Sequence, residues 1–317
     1  MKEEMLFGFD RLYAGSAEDR EAITGCTVII FDGGARASVD IRGASPGTRE
    51  VALLSPDKQM DRIDAILLTG GSAFGLASGT GVVKFLSERR MGYKTPWKIV
   101  PIVPGAVVFD LNVGSAEVYP DETMGYAACE AAMRGEFLRG SHGAGTGVTV
   151  GKWGGIECAM KSGQGVATTE FKGLNVTAFA VVNAVGDIVD SGGKVIAGAR
   201  KKGRFLATGN GITERLAAAP VLGTNTTLVA LVTNAKLSKS DMNRVAQRGH
   251  DALARKIVPV HTSYDGDAVF AATFAEIDAP LDLVAALAVD ATEKAIEDAV
   301  RSAKSLGGFP SFSDINS

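Results

Sequence analysis

Cysteine and histidine are scarce in this chain, with three of each in 317 residues. Cys26, Cys129 and Cys158 lie far apart, without metal-ligand spacing, and read as core thiols in a reducing compartment. His142, His250 and His261 are equally dispersed, which argues against a histidine metal site or a histidine-based triad. No metal and no cofactor are expected. A formal net charge of −3 leaves no basic footprint for nucleic acid. No stretch reaches the ~18 apolar residues of a membrane span. The start, Met1 to Met5, is charged and unlike a secretory leader. The expectation is a soluble cytoplasmic protein without a membrane partner.

Aromatic residues make up only 7%, whereas glycine is abundant at 39, which suits tight turns and closely approaching backbones. With 46% hydrophobic and 22% charged residues, the chain is ample for a large core. Residues 23–42 read as a hairpin, with Cys26–Phe31 as one strand, Asp32-Gly33-Gly34 as the turn and Ala35–Arg42 as the return. Ile63–Thr69 is an apolar strand interrupted only by Asp64, and Gly70-Gly71-Ser72-Ala73-Phe74-Gly75-Leu76 then opens a helix to about Arg90. Free N–H groups at such a helix start favour an anion. The segment lacks the lysine of a phosphate-binding loop and the glycine spacing of a dinucleotide site, so it also reads as a tight packing turn. Ile99–Asp110 suggests a strand pair broken at Pro104-Gly105, and Thr123–Gly135 a short amphipathic helix.

Lys152 ends a glycine-rich segment and reads either as a solvated cation, as most lysines are, or, embedded between Gly151 and Trp153, as a lysine that faces a site. Val176–Val182 is a strongly apolar strand ending at Asn183, which serves either as a turn former or as a neutral oxyanion donor. Residues 190–220, with the basic run Arg200-Lys201-Lys202-Gly203-Arg204, read as an exposed connection. Ser238–Ala254 has helical spacing, as has the stretch from Pro280 to about Ser305, and the tail from Gly307 to Ser317 should be loose.

The stretch Gly223-Thr224-Asn225-Thr226-Thr227-Leu228-Val229-Ala230-Leu231-Val232 passes from a polar loop into an apolar run. Thr226 admits two readings. It is a loop residue capping a core strand, chosen for β propensity. Or the chain breaks before it, and a chain-terminal threonine then carries both a hydroxyl nucleophile and an α-amine base. Asp265-Gly266-Asp267 has the same ambiguity. Asp-Gly is a hairpin turn signal, but two carboxylates bracketing a glycine before a buried strand also suit a cation or an ammonium.

Three motifs together resemble one family. They are Asn225-Thr226-Thr227 before an apolar strand, Asp265-Gly266-Asp267, and Leu67-Leu68-Thr69-Gly70-Gly71-Ser72-Ala73-Phe74-Gly75-Leu76. They look like the DmpA-like peptidases of the N-terminal nucleophile hydrolases, over about residues 20 to 300. That family holds L-aminopeptidase/D-esterases, β-peptidyl aminopeptidases and endo-type 6-aminohexanoate (nylon) oligomer hydrolases, the last being the nearest likeness. The resemblance implies an α+β fold, a four-layer αββα sandwich of the DmpA/ornithine acetyltransferase type. It implies a single hydrolase domain, self-cleaved at Asn225–Thr226 into an α chain of residues 1–225 and a β chain of residues 226–317. Thr226 then falls at the nucleophile, with Lys152, Asn183, Asp265 and Asp267 at the other active-site positions. Phe109 stands where the nylon hydrolases have tyrosine. Gly70, Gly71 and Ser72 are expected to hold substrate through backbone donors, with Phe74 and Phe109 as apolar walls. The expected partners are a small-molecule amide or peptide substrate and further copies of the chain, in a tetramer of αβ units. Two rivals are an acyltransferase of the ornithine acetyltransferase kind and an uncut protein that binds an anion at its glycine loops.

Overall fold

The computed structural model describes residues 6–207, Thr213 and residues 225–315. Apolar alternation in the strands dictates the layering. Nine strands form one sheet: β1 (Leu12–Asp19), β2 (Thr24–Ile41), β3 (Thr48–Arg49), β4 (Arg62–Thr69), β5 (Gly105–Val107), β6 (Gln164–Phe171), β7 (Leu174–Asn183), β8 (Thr226–Ala235) and β9 (Ala268–Ile277). Their spatial order is β6-β7-β8-β9-β2-β4-β5-β3, with β1 paired to β2. Four long helices cover the sheet: α1 (Ser78–Glu88), α2 (Glu122–Met133), α3 (Lys239–Lys256) and α4 (Leu281–Arg301).

Successive strand residues point to opposite faces, and the two faces join different cores. Val28, Ile30, Ala65 and Leu67 pack with Val82, Phe85 and Cys129 of α1 and α2. Ile29, Phe31, Ile66 and Leu68 instead pack with Phe179, Leu228, Ala230 and Phe270 of the other half of the sheet. Val229, Leu231 and Val269 face Met242, Val245, Val284 and Ile296 of α3 and α4. Helices, half-sheet, half-sheet and helices are the four expected layers. Strands buried on both faces read as continuous apolar runs, which is why β8 does.

Residues 23–42 are not a hairpin. β2 continues through Asp32-Gly33-Gly34, where both glycines have positive φ, 73° and 72°. Its first part pairs with β1 (Leu12↔Phe31 to Asp19↔Thr24) and its second with β9 (Arg36↔Thr273 to Ile41↔Ala268). The double glycine bends the strand and passes it from one half-sheet to the other. Ile99–Val100 and Gly105–Val107 do not pair with each other. The first joins Tyr93–Lys94, and the second lies parallel to β4. The helix expected from the glycine loop to Arg90 is two pieces, Ser72–Gly75 and α1. The basic run is an exposed hairpin, Arg200–Lys201 against Arg204–Phe205, turning at Lys202 and Gly203 with φ of 49° and 80°. Val195–Ala197 of that connection is a strand, with Ile196, Ala197 and Ala199 buried and not exposed, and 208–212 and 214–220 lie outside the described residues. The tail is docked and not loose. Leu306 bridges Phe309, Ser311 is fully buried, and Phe312–Ile315 is a helical turn. α3 starts as its sequence suggests, with a Ser238/Asp241 capping box. Among the described residues no helix is long and apolar enough to cross a membrane.

Candidate active site

Thr226 is the first residue of β8, a strand buried along its whole length. β8 runs antiparallel to β7, with Thr226 opposite Asn183 at the C-terminal end of β7. It runs parallel to β9, with Leu228 opposite Ala268. One strand ends and two begin at the same edge of the sheet. Asn183, Thr226 and Asp267 therefore meet there, although they are far apart in sequence.

Asp265-Gly266-Asp267 is not a hairpin turn. It lies alongside Asn225-Thr226-Thr227 in parallel, with Asn225 bridged to Asp265. The Gly266 N–H donates to the Asn225 carbonyl at 3.0 Å. The Thr226 hydroxyl is hydrogen-bonded to the same carbonyl oxygen. The Thr227 N–H donates to Asp267 Oδ1 at 2.6 Å, and Asp267 Oδ2 is 2.7 Å from His261 Nδ1. Asp265 Oδ2 accepts from the N–H and the hydroxyl of Thr262, both at 2.7 Å. Asn225, Thr226, Asp265 and Asp267 are all buried. Gly266 is required for space. A Cβ there would lie 2.7 Å from Thr226 Oγ1 and 2.8 Å from the Ser45 carbonyl oxygen.

Lys152 is buried, not solvated. Its ammonium donates to the Asn183 carbonyl at 2.9 Å and to Asn183 Oδ1 at 2.7 Å. The flanking chain pins it. Gly151 has φ of 78°, and a Cβ there would lie 2.0 Å from the Ala199 nitrogen. Trp153 Nε1 donates to Asp187 at 2.7 Å. Asn183 Oδ1 also accepts from the Thr149 N–H, and Asn183 Nδ2 donates to the Phe109 carbonyl at 2.9 Å. Burial lowers the Lys152 ammonium to about 7, with Asp265 pulling the other way. Burial, and then the neighbouring Asp267 charge, raise Asp265. The site is thus a desolvated group of opposite charges, in which a lysine can be neutral near neutral pH.

The glycine loop does not supply the expected donors. The N–H groups of Gly70, Gly71 and Ser72 go to the Gly25 carbonyl (2.8 Å), Asp110 Oδ1 (2.7 Å) and the Val108 carbonyl (3.0 Å). Asp110, buried and also bonded by the Thr24 hydroxyl at 2.8 Å, takes the place an anion would occupy. Burial raises its carboxyl to about 6. An anion-binding reading loses its donors in the same way. Phe109 is half-buried and touches Asn183 through its carbonyl. Phe74 is 59% exposed and stacks on Tyr119 at 5.1 Å. Sequence reasoning missed the Gly266 N–H and His261. The bridge of Asn225 to Asp265 reveals the first, and the loop that folds His261 back onto Asp267 reveals the second.

The Thr226 hydroxyl is thus held against a carbonyl, with a buried lysine and paired aspartates at the same sheet edge, a set of groups suited to amide-bond hydrolysis. The sequence model of Peptidase family S58 matches residues 8–312, and the chain belongs to that family. It is 36% identical over 316 aligned residues to an uncharacterised aminopeptidase of Mycobacterium tuberculosis, covering 92% of this chain and 89% of that one. It is 36% identical over 287 residues to the 6-aminohexanoate-oligomer endohydrolase of Paenarthrobacter ureafaciens, covering 88% and 77%. Among solved structures, the L-aminopeptidase D-Ala-esterase/amidase of Ochrobactrum anthropi, described as a variant of the Ntn hydrolase fold, superposes with a TM-score of 0.70 at 19% identity, over 96% of this chain and 88% of that one. A β-aminopeptidase of Burkholderia sp. gives 0.68 at 19%, over 96% and 90%. At that identity the likeness carries the fold alone.

Proposed function

We propose that this chain is a self-processing amide hydrolase that cuts itself between Asn225 and Thr226, and that Thr226 is the nucleophile in both the cut and the turnover. One observation carries the reading. The Thr226 hydroxyl and the Gly266 N–H converge on the Asn225 carbonyl. Thr226 Oγ bonds to the Asn225 carbonyl carbon while charge builds on its oxygen. A preorganised N–H aimed at such an oxygen typically contributes ~3 kcal/mol. The Asn225–Thr226 C–N bond then breaks, the proton from Oγ passes to the departing nitrogen, and an ester links the two residues. Water hydrolyses the ester, leaving a carboxylate on Asn225 and a free amine and hydroxyl on Thr226. The products are an α chain of residues 1–225 and a β chain of residues 226–317 that remain one folded domain.

In turnover the Thr226 amine accepts the hydroxyl proton as Oγ attacks a substrate amide, and the acyl-enzyme is then hydrolysed. Lys152 orients Asn183 and supplies positive charge, Asn183 serves as a donor to the reacting oxygen, and Asp265 and Asp267 hold the amine end. The substrates we favour are linear amides with methylene spacers, such as 6-aminohexanoate oligomers. Relatives at 36% identity carry that name, and Phe109, whose carbonyl accepts from Asn183, has an apolar side chain in keeping with it. An aminopeptidase reading has support of equal weight from the mycobacterial relatives. Our reading includes a cytoplasmic homotetramer of αβ units, and the exposed Trp97, Phe74 and Phe171 offer apolar surface for assembly.

Intact mass spectrometry tests the cut. Wild type should give two fragments whose masses sum to the precursor plus one water. Thr226→Ala should give one uncut, inactive chain, and Thr226→Ser should still cut. A wild-type chain that stays whole after long incubation at neutral pH overturns the reading.

A further inference from the structure

We propose that His261 is a positioning residue for the nucleophile strand. Its Nδ1–H holds one oxygen of the Asp267 carboxylate, so that the other oxygen fixes the Thr227 N–H and with it the first peptide of β8. The inference rests on the reading of Thr226 as nucleophile.

The chain of contacts is short and buried. Asp267 is 1% exposed. Its Oδ1 takes the Thr227 N–H at 2.6 Å and its Oδ2 faces His261 Nδ1 at 2.7 Å. A carboxylate only accepts, so the proton of this contact is on Nδ1. A buried carboxylate needs donors on both oxygens, and without His261 the group would keep one side-chain oxygen unheld and be freer to rotate away from Thr227. Asp265, one residue beyond the intervening glycine, adds a like charge that makes such support more necessary.

Two further features bear on His261. Its φ is 52°, a left-handed conformation uncommon for a residue with a Cβ, which eight other described non-glycine residues also adopt. Its Nε2 is buried and has no hydrogen-bond partner among the described residues, so the polar engagement of the ring is with Asp267. The ring is braced from the far side. His250 packs on it edge to face with centroids 4.9 Å apart, and His250 Nε2 bonds the Asp40 carbonyl of β2 at 3.0 Å. The brace thus runs from β2 through two imidazoles to the carboxylate, and from there to the peptide next to the nucleophile.

The test separates a donor at Nδ1 from mere packing. An asparagine side chain places its amide nitrogen near the position of Nδ1, and a glutamine reaches the position of Nε2. His261→Asn should self-cleave and turn over within about threefold of wild type, whereas His261→Gln and His261→Ala should slow both by about tenfold to a hundredfold, the size of one hydrogen bond to a charged group, with KM unchanged. Equal rates for wild type and His261→Ala, or equal losses in the Asn and Gln variants, would overturn the proposal. A second measurement does not depend on activity. In the Thr226→Ala background, His261→Ala should speed exchange of the Thr227 amide proton at least tenfold while amides in the middle of β8 stay protected. Unchanged exchange at Thr227 would overturn the proposal. If wild type fails to cut, the nucleophile reading falls by itself, and the Thr227 exchange still decides the role of His261.

Discussion

The Gly266 N–H points at the carbonyl oxygen of Asn225 from 3.0 Å. The donor sits on the segment that leads into β9 and is bridged to Asn225 through Asp265, so it is held by backbone and not by a mobile side chain. This relationship fixes what Gly266 can be. Its φ lies outside the left-handed region, so conformational freedom is not the constraint. The constraint is the 2.7 Å that separates an added Cβ from Thr226 Oγ1.

Gly266→Ala should therefore slow maturation by about a hundredfold or more, as expected when one oxyanion donor is displaced. The uncut fraction, followed by denaturing gel over time, measures it. Cutting at the wild-type rate would show that the N–H is not needed.

The paired aspartates carry a different expectation. Asp→Asn keeps size and removes charge. Asp267→Asn retains an acceptor for the Thr227 N–H but has one oxygen where there were two, so maturation and turnover should fall by about tenfold or more. Asp265→Asn removes the charge that holds Lys152 up, so the Lys152 ammonium should lose its proton at lower pH than in wild type. If both variants mature and turn over like the parent, the carboxylates serve only to shape the loop.

These residues divide by how local their signals are. Thr226 and Asn183 were legible because a polar residue at the end of an apolar run is visible in the sequence itself. Lys152 was legible from its glycine neighbours, and the layering only through the family resemblance. The fate of Asp32-Gly33-Gly34 was not legible. A double glycine has the same local chemistry in a reversing turn as in a strand that bends from one half-sheet to another, and only pairing with β1 and β9 decides between them. The same holds at Gly71, where the N–H reads as free until Asp110 is brought to it. The Gly266 N–H gains its place through the bridge of Asn225 to Asp265, and His261 through the loop that folds back on Asp267, and the residue types themselves announce neither.

A second buried lysine allows a test of electrostatics away from Thr226. Lys161 is fully buried and its ammonium donates to the carbonyls of Gly145 (3.0 Å), Val148 (3.0 Å) and Ser162 (2.5 Å). Burial lowers it to about 7 from an ordinary 10.5. Between those values the unfolded chain binds the proton and the folded chain does not, so this group makes stability rise with pH. The stability of wild type minus that of Lys161→Met should climb from about pH 7 toward 10, by at most about 1.4 kcal/mol per pH unit. Denaturant melts at four pH values measure the slope. A flat difference would mean that the lysine keeps its proton in the folded state.

The last prediction concerns substrate choice. Phe109 reaches the site through its carbonyl, which takes the Asn183 amide proton, so its backbone is fixed whatever side chain it carries. Phe109→Tyr then adds a hydroxyl without disturbing Asn183. A chain of methylenes has no side chain to fill a pocket and gains from an apolar wall. A wall made polar should favour substrates with an amine or carbonyl in reach. The measurement is a side-by-side comparison of kcat/KM on a 6-aminohexanoate oligomer, a β-alanyl amide and L-alanyl p-nitroanilide. Wild type should prefer the oligomer, and Phe109→Tyr should shift the ratio by about tenfold, the size of one hydrogen bond gained or lost. An L-alanyl rate orders of magnitude above the oligomer rate in wild type would assign the protein to the aminopeptidases. The direction of the Phe109→Tyr shift would then show whether this residue sets the preference.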